Sequence, residues 1–92
     1  MVGNLTQKGI ENIKNSPNRV EDARKMFQSL GGDIKDFYYT MGKYDFILIS
    51  EFPNDDAATR AILINGMKGS ARTETLKAIT LEEMVNIVKE LP

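Results

Sequence analysis

The chain contains no cysteine and no histidine among its 92 residues. Without cysteine, disulfides, iron–sulfur ligation and thiol catalysis are excluded. Without histidine, the chain lacks the commonest general base at neutral pH, an axial ligand for haem and the nitrogen ligand of most zinc sites. We therefore expect neither a metal nor a bound cofactor.

The chain also lacks an excess of charge and a long apolar run. Twelve basic and thirteen acidic residues are mixed along it and leave a net charge of −1. No basic stripe is present to neutralise a row of phosphates, so we expect no nucleic-acid partner. No apolar run approaches the length of about 18 residues that a membrane span needs, and no signal peptide is recognisable. These absences predict a cytoplasmic protein without a membrane partner.

What is present is typical of one folded domain. Hydrophobic residues make up 41% of the chain and charged residues 27%, which is ordinary for a globular protein. We expect a single domain over residues 1–92. A domain of this size buries only about 60 to 65% of its unfolded surface, so burial between subunits would add to its stability.

Start and stop signals divide the chain into seven elements. A short strand over 1–5 is followed by a break, and Ser16-Pro17 predicts a helix over 17–30 that the Ser16 side chain caps and Gly31-Gly32 ends. Aromatic and β-branched residues predict strands over 33–41 and 44–52. Asn54 is the expected cap of a helix that ends at Gly69, and a strand over 70–79 follows it.

Thr80-Leu81-Glu82-Glu83 is a capping box that opens a last helix, whose apolar stripe contains Met84, Ile87, Val88 and Leu91. The order strand, helix, strand, strand, helix, strand, helix predicts an α+β, ferredoxin-like βαββαβ domain with an antiparallel sheet and an additional C-terminal helix.

Gly42-Lys43 separates two predicted strands and fits a two-residue type II′ turn. This turn would pair Met41 with Tyr44 and Tyr39 with Phe46, and residues that pair directly share a face of the sheet. One face then carries Phe37, Tyr39, Met41, Tyr44, Phe46 and Leu48. The other carries Ile34, Asp36, Tyr38, Thr40, Asp45, Ile47 and Ile49.

The second of these faces is too apolar to be left in water. Both crossover helices of a βαββαβ unit cover the same side of the sheet, so the other side is bare in a monomer. Here that side carries Ile34, Tyr38, Ile47 and Ile49, and each fully buried aliphatic side chain contributes about 1.5 to 3 kcal/mol. Either the C-terminal helix or a second subunit must cover them. We predict a homodimer whose sheets face each other, with the last helix packed at the edge.

Five segments of the sequence resemble the GYD domain family in type, order and spacing. They are TQKGI at 6–10, SPNR at 16–19, GKYD at 42–45, PND at 53–55 and GSARTETL at 69–76. The family is named after the Gly-x-Tyr-Asp hairpin and belongs to the dimeric α/β barrel superfamily, so the resemblance implies the same fold and a dimer. It implies no activity.

Two departures from the family pattern concern the first strand and a cap. The family's first strand is longer than 1–5, so this strand is abbreviated or the sequence starts late. Asn54 stands where Asp is more frequent, and both residues cap helices well. A second resemblance, to the small-molecule-binding domain of leucine-responsive and AsnC-type regulators, implies that Tyr44, Asp45, Thr73 and Thr75 line a ligand pocket.

Two classes of function remain open at this point. The first is a homodimeric small-ligand-binding or regulatory and interaction module, with a candidate site at Tyr44, Asp45, Arg72, Thr73, Glu74 and Thr75. The alternative is a cofactor-independent enzyme, resembling the monooxygenases and isomerases built on dimeric α/β barrels. Its base would have to be Asp36, Asp45, Glu51 or Glu74, with Tyr38 or Tyr44 assisting. Structural explanations compete with both, because Asp45 can accept backbone amides beside a turn and charged residues protect edge strands.

Overall fold

The computed structural model describes residues 1–92 and contains one four-stranded antiparallel sheet. Its strands are β1 (Val2–Leu5), β2 (Asp33–Tyr39), β3 (Phe46–Glu51) and β4 (Ala71–Glu74), in the order β2-β3-β1-β4. The helices are α1 (Gln7–Glu11), α2 (Ser16–Ser29), α3 (Asp55–Lys68) and α4 (Leu81–Lys89), and a 3-10 turn covers Ile13–Asn15. The predicted ferredoxin-like α+β fold is confirmed. None of the helices combines the length and the apolar character that crossing a membrane would need.

The core lies between the sheet and helices α2 and α3. Phe27 of α2 and Ala61 of α3 pack with Ile34, Phe46 and Leu48 of the sheet, and all five are buried. Because both helices contribute to this one cluster, they cover the same side of the sheet, as the handedness of the crossovers requires. The other side of the sheet is not covered by any helix of the same chain.

The hairpin register is confirmed over most of its length. Tyr39 pairs with Phe46 and Asp36 with Ile49, as the sequence predicts. A β-bulge at Lys35 interrupts the ladder between Ile34 and Asp36. Because one extra residue reverses the faces on which side chains lie, Ile34 points into the core and is only 1% exposed. The prediction that Ile34 belongs to the bare face is therefore wrong.

The turn between β2 and β3 is wider than predicted. The ladder ends at Tyr39 and Phe46. Backbone N–H of Thr40 still donates to the carbonyl of Asp45 (2.8 Å), but the Thr40 hydroxyl donates to the Tyr44 carbonyl (2.6 Å). The residues from Met41 to Tyr44 form an open loop instead of a two-residue type II′ turn. Gly42 adopts a φ of +121°, which explains the glycine at this position.

Helix ends agree with most of the predicted caps. Asn54 Oδ1 accepts the Ala57 N–H (2.9 Å), and Thr80 Oγ1 accepts the Glu83 N–H (3.0 Å), which is one of the two bonds of a capping box. Gly69 ends α3 in the left-handed conformation. The cap predicted at Ser16 is wrong, because Ser16 is already helical and its hydroxyl bonds to the Tyr39 hydroxyl (2.8 Å).

The C-terminal part of the chain differs most from the prediction. Strand β4 ends at Glu74, which pairs with Val2, so the residues that follow run past β1 and find no partner strand. Every residue from Thr75 to Pro92 is exposed. The predicted strand over 70–79 is therefore mostly absent, and the expectation that the last helix packs at the edge of the sheet is wrong for the single chain.

The segment after β1 attaches that strand to the turn between α3 and β4. Thr6 caps α1, its N–H donates to the Ser70 carbonyl (3.1 Å), and its hydroxyl donates to the Gly69 carbonyl (2.6 Å). Lys8 Nζ donates to the Lys68 carbonyl (2.9 Å). A Cβ on Gly9 would lie 2.1 Å from the Ser70 carbonyl oxygen, so only glycine fits. The Thr-x-x-Gly segment is thus a structural connection between two distant parts of the chain.

We expect the substitution Gly9→Ala to lower the free energy of unfolding by about 1 to 3 kcal/mol, because the added methyl group must displace the Ser70 backbone. Urea denaturation followed by circular dichroism measures this change. Gly66→Ala is the matched control: it adds the same methyl group in α3 where nothing lies within 4 Å. It should raise stability by about 0.5 to 1 kcal/mol. Equal midpoints for wild type and Gly9→Ala would contradict this account.

Candidate functional site

Asp45 is bound to the first strand of the sheet. Its Oδ2 accepts the backbone N–H of Leu5 (2.8 Å), and its own N–H donates to the Gly3 carbonyl (2.9 Å). Continued pairing would have placed the Tyr44 carbonyl opposite Leu5, but that carbonyl accepts the Thr40 hydroxyl instead. The Asp45 carboxylate therefore replaces a missing backbone acceptor at the point where β1 and β3 separate.

Tyr44 crosses from the hairpin loop to β4. Its hydroxyl donates to Glu74 Oε2 (3.0 Å), and the Lys43 ammonium lies 5.5 Å from the centre of its ring. Because β1 lies between β3 and β4 in the sheet, the Tyr44 side chain spans β1 to reach Glu74. The Gly-x-Tyr-Asp signature thus attaches the hairpin loop to β1 through Asp45 and to β4 through Tyr44.

The remaining predicted site residues are divided between the two faces of the sheet. Thr73 pairs with Gly3 on the helix side, whereas Arg72 and Glu74 are exposed on the opposite side, and Thr75 lies beyond the end of β4. The structure brings Tyr44 together with Glu74 but not with Thr73. A ligand site formed by all six residues stays a prediction.

A cavity of about 240 Å³ lies on the helix side of the sheet, between α2, the C-terminal end of α3 and the strands, and its lining includes Ala71 at the start of β4. Phe27, Phe37 and Phe46 contribute to its apolar lining, and Ser16 and Tyr39, whose hydroxyl groups share a hydrogen bond, also line it. None of the four carboxylates that we considered as catalytic bases lines this cavity. Asp36, Glu51 and Glu74 are exposed, and Asp45 accepts the Leu5 amide. No observation therefore favours the enzyme over the binding module.

The uncovered side of the sheet, called here the outer face, carries an apolar row across β2, β3 and β1 that ends at Glu74 of β4. Tyr38, Ile47, Val2 and Glu74 are directly opposite one another in successive strands. Ile49 lies on the same side and is 45% exposed, and Tyr38 is 57% exposed. Apart from Ile34, the apolar residues of the predicted second face do lie on one side of the sheet, and no helix of the chain covers them.

Helix α4 is the second uncovered surface. Its large apolar side chains lie on one side of the helix, its charged ones lie on the opposite side, and all are exposed. The apolar side, called here the α4 stripe, consists of Leu81, Met84, Val85, Ile87, Val88 and Leu91. Leu81 and Val85 were missing from the sequence-based stripe, although their spacing of four residues could have identified them.

Arg19 and Tyr39 lie beside a cavity that the sequence did not indicate. The local pattern of Ser16-Pro17-Asn18-Arg19 predicts only the start of a helix. The register predicts that Tyr39 lies on the helix side, yet no local pattern indicates that α2 leaves a space there. A cavity of this kind depends on the distance between two packed layers, which the sequence does not report.

Together, the strand order and the position of the two long helices define a ferredoxin-like α+β domain with an additional C-terminal helix. The chain matches the GYD domain over residues 1–88, and it belongs to that family. This confirms the resemblance that was noted in its five sequence segments.

One curated relative covers almost the whole chain. It is the "Glutamine synthetase and cystathionine beta-lyase binding protein" of Thermus thermophilus, which is 27% identical over 90 residues, or 97% of this chain and 95% of that protein. No solved structure matches the chain.

The Asp45→Ala substitution should lower the free energy of unfolding by about 1 to 3 kcal/mol, because the Leu5 N–H loses its acceptor at a partly buried position. Asp45→Asn is the conservative control, since its amide oxygen can still accept that bond, and it should cost distinctly less. Urea denaturation of the three proteins measures the difference. If Asp45→Ala proves as stable as wild type, the carboxylate does not hold β1 to the hairpin.

Proposed function

We propose that this protein is a homodimeric interaction module that binds another protein through the α4 stripe. The distribution of exposed apolar residues carries the proposal. The chain buries only nine of its 92 residues and exposes sixteen large hydrophobic ones, of which eight lie between Leu76 and Leu91. An apolar surface this concentrated is characteristic of an interaction site.

The shape of α4 supports a groove on the partner as its binding site. Leu81, Val85 and Val88 recur at intervals of four and three residues, which is the spacing of anchors in helices that lie in apolar grooves. The opposite side of the helix carries Glu82, Glu83 and Glu90 with a single basic residue, Lys89. A partner groove with an apolar floor and a basic rim would complement this helix.

The outer face supports the homodimer in the same way. Val2, Tyr38, Ile47 and Ile49 form a contiguous apolar patch on the sheet, and a two-fold axis would bury the same patch on both copies. The arrangement leaves α2, α3 and the helix-side cavity outside the interface. In this proposal the dimer forms through the outer face and the partner binds the α4 stripe, so each contact can be tested without the other.

The name of the Thermus relative supports a protein as the partner. That protein is described as binding glutamine synthetase and cystathionine beta-lyase. Those two enzymes are the first candidate partners for this chain, which is 27% identical to the Thermus protein. The cytoplasm remains the predicted location, and a small ligand at Tyr44 and Asp45 remains a separate hypothesis.

The partner prediction is tested on a biosensor. The immobilised proteins are the glutamine synthetase and the cystathionine beta-lyase of the organism from which this chain comes. We expect wild type to bind at least one of them and Val88→Glu to bind at least about tenfold more weakly, because a carboxylate would be buried in an apolar groove. Asn86→Glu introduces the same side chain on the polar side of the same helix, so it should bind like wild type.

Two outcomes would refute this assignment. Wild type without measurable affinity for either enzyme would remove both proposed partners. Equal binding by Val88→Glu and Asn86→Glu would show that the α4 stripe is not the contact. Circular dichroism of both variants checks that α4 remains helical.

The dimer prediction is tested by sedimentation velocity at about 20 µM, a concentration at which a micromolar dimer is mostly assembled. We expect wild type to sediment as a dimer and Ile49→Glu as a monomer, because the variant places a charge in the centre of the proposed interface. Leu63→Glu is the matched control on α3, at a residue that is 62% exposed, and it should remain dimeric. A monomeric wild type, or a dimer that only Leu63→Glu disrupts, would exclude the outer face as the interface.

A further inference from the structure

The cavity between α2 and the sheet has the composition of a binding site. Aromatic and aliphatic side chains form most of its lining, including Phe27, Ile34, Phe37, Phe46 and Leu48. Its volume of about 240 Å³ exceeds the roughly 150 Å³ of an engineered apolar cavity that binds benzene. It is smaller than the pockets of about 300 to 1,000 Å³ that hold drug-sized ligands. The space therefore suits one aromatic ring or a short alkyl chain with a small substituent.

Polar groups also line this cavity. Ser16 is 5% exposed and shares a hydrogen bond of 2.8 Å with the Tyr39 hydroxyl, in which either oxygen can be the donor. Two hydroxyl groups that share one bond keep one proton free for another acceptor. The pair thus offers a hydrogen-bond donor at the lining of a mostly apolar space.

Two cations at the same cavity have no carboxylate partner. Arg19 donates from Nη1 to the Asn12 carbonyl (2.8 Å) and from Nη2 to the Gly9 carbonyl (3.2 Å). These bonds fix the guanidinium and leave three of its five N–H donors free. Lys68 also lines the cavity, and neither residue is in a salt bridge. Asp22 is the one carboxylate of the lining, so positive charge is in excess.

From this combination we infer that the cavity binds a small apolar carboxylate, such as an aryl or short alkyl carboxylic acid, with the carboxylate at Arg19 and Lys68. The apolar body fits among the phenylalanine rings, and the free hydroxyl proton of the Ser16–Tyr39 pair is a further donor. This inference is independent of the proposed function, because the cavity belongs neither to the outer face nor to the α4 stripe. It also differs from the predicted ligand site at Tyr44 and Asp45, since neither residue lines it.

The inference is tested with 3-phenylpropionate and its neutral amide as probes, by two-dimensional NMR of the isotopically labelled protein. We expect 3-phenylpropionate to bind with a Kd of about 1 mM or tighter, and the amide at least about tenfold more weakly. The chemical-shift changes should centre on α2 and β2. Shift changes confined to the loop around Tyr44 would overturn the inference and support the site at Tyr44 and Asp45 instead.

Substitutions of the two cations test where the carboxylate of the bound probe lies. Arg19→Gln should weaken binding at least about fivefold, and Lys68→Gln, which removes an exposed charge from the rim, should also weaken it. Arg60→Gln is the matched control, because Arg60 is exposed on α3 and does not line the cavity. Its affinity should equal that of wild type.

A cavity-filling variant separates the site from the surface around it. Ala23→Leu adds three carbon atoms to the wall of the cavity and should abolish binding without lowering the denaturation midpoint, because the larger side chain fills empty space. Equal affinities of wild type for the carboxylate and the amide would refute the proposed charge recognition. The absence of saturable binding up to about 10 mM would refute the site.

Discussion

The pairing of β1 with both of its neighbours is the interaction on which the rest of the structure depends. In the order β2-β3-β1-β4, this strand of four residues is the only connection within the sheet between the β2–β3 hairpin and β4. Its C-terminal end is secured by side chains: the Asp45 carboxylate accepts the Leu5 amide, and the Thr6 hydroxyl donates to the turn that follows α3. Three of the family's sequence signatures therefore meet at this strand, and their shared role is structural.

A sheet held in this way brings its helices to one side only, and the consequences are visible on the other side. The core is small, since Phe27 and Ile34 are its largest fully buried side chains. The apolar residues that a larger core would have enclosed lie on the outer face and on α4. Association with a second copy and with a partner protein would bury them. The stability of a small domain increases with the apolar area that it removes from water. The function that we propose follows from this deficit of burial.

The helix side of the sheet has a different character, because its apolar residues are covered but not tightly packed. Between α2 and the strands a space remains, and its lining includes two cations without a carboxylate partner and the hydrogen-bonded pair Ser16 and Tyr39. The two sides of the same sheet can therefore serve different purposes, one for contact between proteins and the other for a small molecule. Strands β2 and β3 connect the outer face with the cavity, because their side chains point alternately to the two sides of the sheet.

Much of this fold could be predicted from local chemistry. Turn glycines, the caps at Asn54 and Thr80, and the alternation along the hairpin determine the order of elements, since each depends on neighbours in the chain. Four features could not be predicted in this way: the bulge that turns Ile34 into the core, the open loop at Tyr44, the early end of β4 and the position of α4 away from the sheet. Each of them depends on which strand lies alongside and where its register ends. By itself, the sequence determined the elements, the family and the existence of a second apolar face. Only the tertiary structure decided that Asp45 binds a backbone amide and that the cavity lies beneath α2, because contacts between distant residues set both.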